Sequence, residues 1–318
     1  MRFRNAFHIT IDNFQNVFKL LLYYFVTGLL FGSLIYVILK LSLSSILESA
    51  EMTTVKELIG EFFRALTSGD TERLHTFKEE FEAAVKELVL LFGSNSGKIA
   101  GAIVGVCVMY ILMRFLNGLA LFAVGNTVND RMSTYSRTSF SSAYFKNIGQ
   151  ASLYQLIYVP LCFLFDALMI LACWFLFFYV PSLLPGQGFL TVLFALALTV
   201  TAIACFDALK MTLISSWMPA MISDRKSVGA GMKYSFTCKK DFGRRFAAFL
   251  VSVYLIMVVN LVFGLFTFGS ALLITVPMSF IFLLSMQLVN YYNLNSRKFF
   301  ITYQKIVGGE NESDYLTK

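Results

Sequence analysis

The stretch IAGAIVGVCVMYILMRFLNGLALFAV, residues 99–124, carries one charge, Arg114, and otherwise reads as unbroken apolar helix. A bilayer core takes about 20 residues of helix, and this run exceeds that. Five more runs of similar character lie at 17–41, 151–180, 187–222, 243–269 and 271–296. Composition agrees: 57% of residues are hydrophobic and 14% are charged, with mean hydropathy +0.69. Those values exclude an ordinary soluble domain. The reading is an all-α integral membrane protein with six transmembrane helices.

Charge then threads the spans. Residues 42–97 hold ten acids against five bases, a net −5 in a chain whose total is +7. The rest therefore carries +12. Basic residues gather at the N-terminus (Arg2, Arg4, Lys19), in 126–150 (Arg131, Arg137, Lys146), in 221–245 and after residue 296 (Arg297, Lys298, Lys305). Lys and Arg are retained on the cytoplasmic side. That rule puts both termini and both basic loops inside a cytoplasmic membrane, with 42–97 outside. The positive excess suits anionic lipid heads. No recognition module accompanies it, so no nucleic-acid partner is expected. The first run is too long for a signal-peptide core and is read as an uncleaved span.

The domain reading follows. Residues 1–41 form an N-terminal interfacial helix and span one. Residues 42–97 form an extracytoplasmic helical insertion, and 98–296 a five-span bundle with cytoplasmic interfacial helices at 126–150 and 221–245. Residues 297–318 form a cytoplasmic tail. Three repeats of interfacial helix plus helix pair are expected, from apolar stripes at Phe7, Ile11, Phe14 and Phe18, at Phe140, Tyr144 and Ile148, and at Val228, Met232 and Phe236. Asp-Arg-x-Ser recurs at 130–133 and 224–227, where Ser133 and Ser227 would cap helices. The competing reading is that such linking helices are common to membrane proteins. Lys226, Lys233 and Lys240 recur every seven residues and are the candidate contacts to lipid heads.

The insertion reads as two helices broken at Ser68-Gly69-Asp70, with Asp70 as a cap. Its apolar stripes are Val55, Ile59, Phe62 and Leu66, then Leu74, Phe77, Phe81, Val85, Leu88 and Phe92. Either the hairpin packs on itself or it offers a docking surface. Gly101 and Gly105 are spaced for close helix approach. Pro160 and Pro277 are expected to kink spans three and six, and Pro219 to mark the inner end of span four.

Charges within a bilayer cost roughly 2.5–3.5 kcal/mol each on insertion scales, so each needs a reason. Arg114 and Asp166 both fall near mid-membrane and are expected to form an ion pair, with hydrogen bonds from Asn117 or Asn260. Asp207 and Lys210, three residues apart, are expected to pair on one face nearer the inner end of span four. Gln287 and Asn290 are similarly placed on span six. These groups either line a polar site for a lipid head or ion, or lock the bundle.

No catalytic set emerges. His8 and His75 fall on opposite sides, which rules out a shared metal, and no cofactor is expected. Residues 93–98 lack both the length and the Ser/Thr of a phosphate loop. Asn311-Glu-Ser fits a glycosylation pattern but is placed inside. Cys107, Cys162, Cys173 and Cys205 fall in spans and Cys238 in a loop, without a disulfide framework. The protein is not expected to be an enzyme.

Met218-Pro-Ala-Met-Ile-Ser-Asp-Arg-Lys-Ser, then Gly231-Met-Lys-Tyr-Ser-Phe and Asp241-Phe-Gly-Arg-Arg-Phe, resemble the six-helix membrane domain attached to some bacterial glycerophosphodiester phosphodiesterases and its stand-alone relatives. The likeness runs through spans two to six and omits 42–97. It implies a membrane protein tied to lipids or envelope upkeep. The catalytic barrel of those enzymes has no counterpart here, so the resemblance does not bring their activity. The function expected is a non-enzymatic lipid- or envelope-related binding or scaffold role. The alternative is a permease subunit paired with an ATPase subunit or another membrane protein. Membrane lipids are expected partners; the sequence leaves self-association open.

Overall fold

The computed structural model describes residues 2–68, 71–179 and 188–308. The elements are α1 (Arg2–Asp12), α2 (Gln15–Leu47), α3 (Ala50–Ser68), α4 (Thr71–Ser94), α5 (Ser96–Thr134) and α6 (Phe140–Trp174). A π-turn, Phe175–Tyr179, extends α6. Then come α7 (Gly188–Ile214), α8 (Trp217–Asp224), α9 (Val228–Thr237), α10 (Phe242–Phe266), α11 (Leu272–Leu294), β1 (Phe299–Thr302) and β2 (Lys305–Val307). Six helical stretches are long and apolar enough to span a membrane. The protein is an all-α, multi-pass membrane protein.

Two compact units divide the chain: residues 1–25 with 114–318, and residues 26–113. The larger unit has its core around the C-terminal half of α11. There Ile281, Leu284, Leu288, Val289, Tyr291 and Tyr292 are all buried, against Trp217, Phe249 and Phe122. Amphipathic α1 packs across α11, burying Ala6 and Ile9 while Phe7 and Ile11 stay exposed. β1 and β2 pair antiparallel and bury Phe299 and Ile301 beside α1. So residues 297–308 are a packed hairpin rather than a free tail; residues 309–318, with Asn311, lie outside the described residues.

In the smaller unit, α3 packs on α4 through Val55, Leu58, Ala84 and Leu88, with Phe62 and Phe77 rings 4.6 Å apart. The hairpin therefore does pack on itself. Its first stripe is rotated from the expected one: Leu58 and Ala65 are buried and Ile59 is 40% exposed. Gly69 and Asp70, and the side chains of Leu66, Leu74 and His75, lie outside the described residues. Of the two spaced glycines, only Gly105 sits at a close approach, where an added Cβ would lie 3.1 Å from Ile38.

The threefold repeat is not reproduced. Residues 126–150 hold no separate interfacial helix: α5 runs on to Thr134, and Phe140, Tyr144 and Ile148 open α6 itself. Ser133 lies inside α5, and the cap of α6 is Ser139, whose Oγ accepts from Ser142 N–H at 3.2 Å. Ser227 does cap its helix, α9. The 187–222 run is two helices, α7 and α8, parted at Ser215-Ser216, and Pro219 stands in the first turn of α8, just past the end of α7. Pro160 and Pro277 both sit within continuous helices.

Candidate functional site

Four charges on three spanning helices meet in one chain of contacts. Arg114 on α5 donates from Nη1 to Asp166 Oδ2 on α6 at 2.8 Å. Lys210 on α7 donates to Asp166 Oδ1 at 2.9 Å and pairs with Asp207 at 2.7 Å. Asp207 and Lys210 are three apart on one helix and so share a face. The guanidinium carbon of Arg114 stands 5.1 Å from the Phe163 ring centroid, one turn before Asp166. The ion pair expected from the sequence is present. The expected second pair is not at a separate level: Lys210 joins both acids, so one network replaces two.

The network runs in the order Arg114, Asp166, Lys210, Asp207. Two cations and two anions sum to zero, which lowers the cost of holding them among apolar spans. Lys210 is the most covered member, its side chain 11% exposed, and Asp166 is 23% exposed. Its ends are more open, at 25% for Arg114 and 32% for Asp207. A cation at one open end and an anion at the other can receive a group with charges of both signs.

Asn260 does not serve this network. On α10 it donates to Ser279 Oγ at 3.2 Å and accepts from Thr275 Oγ1 at 2.6 Å, both on α11. It joins the two helices that pack on each other. Asn117 lies one turn after Arg114 on α5, half-buried. Gln287 donates to Met211 Sδ at 3.5 Å, and Asn290 is fully buried in the core.

A second set of charges gathers where α1, α8, α9 and the hairpin meet. Asp224 accepts from Tyr291 Oη at 2.7 Å and from Arg297 at 2.6 Å, with Lys226 at 3.5 Å. Arg131 pairs with Asp12, and Arg2 with Asp241 at 2.7 Å. The hydrogen bond from Arg2 holds the Asp241 carboxyl below the usual carboxylate range. These contacts tie the terminal helix and hairpin to the bundle.

The lysine row dissolves in three dimensions. Lys226 precedes α9, pairs with Asp224 and lies 4.0 Å from the Tyr234 ring centroid. Lys240 follows α9 and donates to the Leu294 carbonyl at 3.4 Å. Of the three, only Lys233 is on the helix and exposed. The seven-residue spacing presumes one continuous helix; α9 has ten residues and ends at Thr237.

Arg245 escaped sequence reading because it sits in a run of loop charges. Its spacing to Phe249, Ser252 and Val253 was the available signal: all four are buried on one face of α10.

Among the described residues no group of three or more His, Cys, Asp or Glu is placed to hold a metal ion. No protein-family model, curated protein or solved structure matches the chain.

Proposed function

We propose that the protein binds membrane lipid, with the Arg114–Asp166–Lys210–Asp207 network receiving a zwitterionic headgroup. One observation carries the reading: the network is joined through its middle, while its cationic and anionic ends stay about a quarter to a third exposed. A network that served packing alone would gain by closing both ends. Arg114 would take the phosphate of the headgroup and Asp207 its ammonium group. The reading places the protein in a cytoplasmic membrane, with the basic segments and both termini inside and 42–97 outside. It assigns Asp166 to holding Arg114 and Lys210 together and Asp207 to the headgroup, with Lys210 in contact with both acids. The resemblance of residues 218–246 to a lipid-linked membrane domain leans the same way.

The test is native mass spectrometry of the protein extracted with its surrounding lipid. Retained phosphatidylethanolamine that Arg114→Gln or Asp207→Asn releases, with folding intact by circular dichroism, supports the reading. Equal retention in both variants overturns it. A stoichiometric ATPase subunit in the same spectrum would instead favour a permease.

A further inference from the structure

Arg245 is fully buried one turn into α10, and the network above makes no use of it. Its Nη2 donates to the Cys238 carbonyl at 2.6 Å and its Nη1 to the Thr212 carbonyl at 3.4 Å. Those carbonyls satisfy hydrogen bonds but supply no countercharge. Its Nε is buried without a partner. Among the described residues no carboxylate lies within 4.0 Å of it. The nearest acid in sequence, Asp241, pairs with Arg2 and Arg244. A buried cation in this state is strongly unfavourable unless an anion joins it.

The structure has room for one. Arg245 lines a cavity of about 250 Å³ with Ser235, Cys238 and the exposed Lys239. The first turn of α10 adds the positive end of a helix dipole. Phe242 forms part of this wall and also of a second cavity of about 310 Å³, whose lining is Cys205, Phe206, Leu209 and Phe246. A pocket that has Arg245 and Lys239 in its lining thus shares a wall with an apolar one.

We propose that these two cavities bind one phospholipid, its phosphate on Arg245 and Lys239 and an acyl chain against Phe206, Leu209 and Phe246. Guanidinium presents a fork of donors that matches phosphate oxygens, and Nε is the donor of Arg245 left without a partner. The site rests on the lipid reading only for its class of ligand. It shares no residue with the four-charge network, so each can fail alone.

The full chain in detergent would be titrated with dioleoyl phosphatidylglycerol, with dioleoylglycerol, which has the same tails and no phosphate, and with inorganic phosphate. Native mass spectrometry reads the bound species. One phosphatidylglycerol per chain is expected, with dioleoylglycerol bound at least about tenfold more weakly, the worth of a charge-assisted contact. Arg245→Gln is expected to weaken phosphatidylglycerol by a similar factor, while Lys305→Gln, at an exposed position outside both sites, leaves it unchanged. Because Arg245 also holds two carbonyls, Lys239→Gln, at an exposed position, supplies a variant that does not disturb packing; it should weaken binding several-fold. Equal binding of phosphatidylglycerol and dioleoylglycerol would overturn the phosphate site. So would unchanged binding in both variants. Inorganic phosphate displacing the lipid at equal concentration would overturn the acyl-chain half and assign the pocket to a free anion.

Discussion

Asp166 is the residue on which the spanning charges depend, because it accepts from both Arg114 and Lys210. Asp166→Asn leaves two cations facing one remaining carboxylate. Breaking a fully buried pair costs 3–5 kcal/mol, and partial exposure of this one reduces that to about 2 kcal/mol. Arg114→Gln should cost less, since Asp166 keeps Lys210. The pair Arg114→Asp with Asp166→Arg should not restore stability, because it sets a second cation against Lys210. Thermal unfolding in detergent checks the ranking; a swap as stable as wild type would mean that Lys210 is idle. Asp241 gives a pH signature. Its carboxyl, held low by Arg2, contributes stability that is fully present above the unfolded value of about 3.9 and is lost as pH falls through the folded one. Wild type should therefore lose stability relative to Asp241→Asn as pH drops from 5 to 2.5, and the two should run parallel above 5. The meeting of Arg114 and Asp166 was legible, because two lone charges at similar depth in apolar spans have few other partners. The role of Lys210 was not, since it depends on how α7 is rotated against α6.

Among the elements, α8 and α9 are the least forgiving. Trp217 on α8 is fully buried and donates from Nε1 to the Val228 carbonyl at 2.9 Å. α9 approaches it at Gly231, where an added Cβ would lie 3.0 Å from Trp217 Cδ1 and 3.2 Å from its carbonyl oxygen. Gly231→Ala should cost about 1–3 kcal/mol, the range for overpacking, and shift Trp217 emission. Gly229→Ala, which meets nothing within 4 Å, should be neutral or slightly stabilising through helix propensity. If both behave alike, the close approach carries no energy. Apolar length made the spans readable. Where a helix ends was harder: 126–150 read as a separate interfacial helix, yet α5 and α6 themselves run through most of it. The rotated stripe of α3 has a similar cause. Close helix pairs bury alanine, as at Ala65 and Ala84, whereas pattern reading weights the large side chains. The β-hairpin gave little warning, having strands of four and three residues and no Asn-Gly or Asp-Gly at its turn.

At the scale of the whole molecule, the division into two units sets what the hairpin α3–α4 is for. The core of the larger unit is built from residues 1–25 and 114–308, and the hairpin has its own small core around Val55, Leu58, Ala84 and Leu88. Both candidate lipid sites lie in the larger unit, at Arg114, Asp166, Asp207 and Lys210 and around Arg245. Within the smaller unit the ends of α2 and α5 come close: Lys98 Nζ lies 3.5 Å from Ser45 Oγ. A short Gly/Ser linker can therefore replace residues 50–94 without pulling those helices apart. The shortened chain should insert, unfold at a midpoint close to that of the full chain, and retain phosphatidylglycerol to the same extent. Closing a loop of this length costs only a few tenths of a kcal/mol differently from the natural connection, so a large loss cannot come from the linker. Thermal unfolding and native mass spectrometry of the two chains decide it. A collapse in stability would make the acidic hairpin part of the bundle's own structure. Preserved stability and lipid binding would leave the hairpin, net −4 over residues 50–94, available for a task of its own.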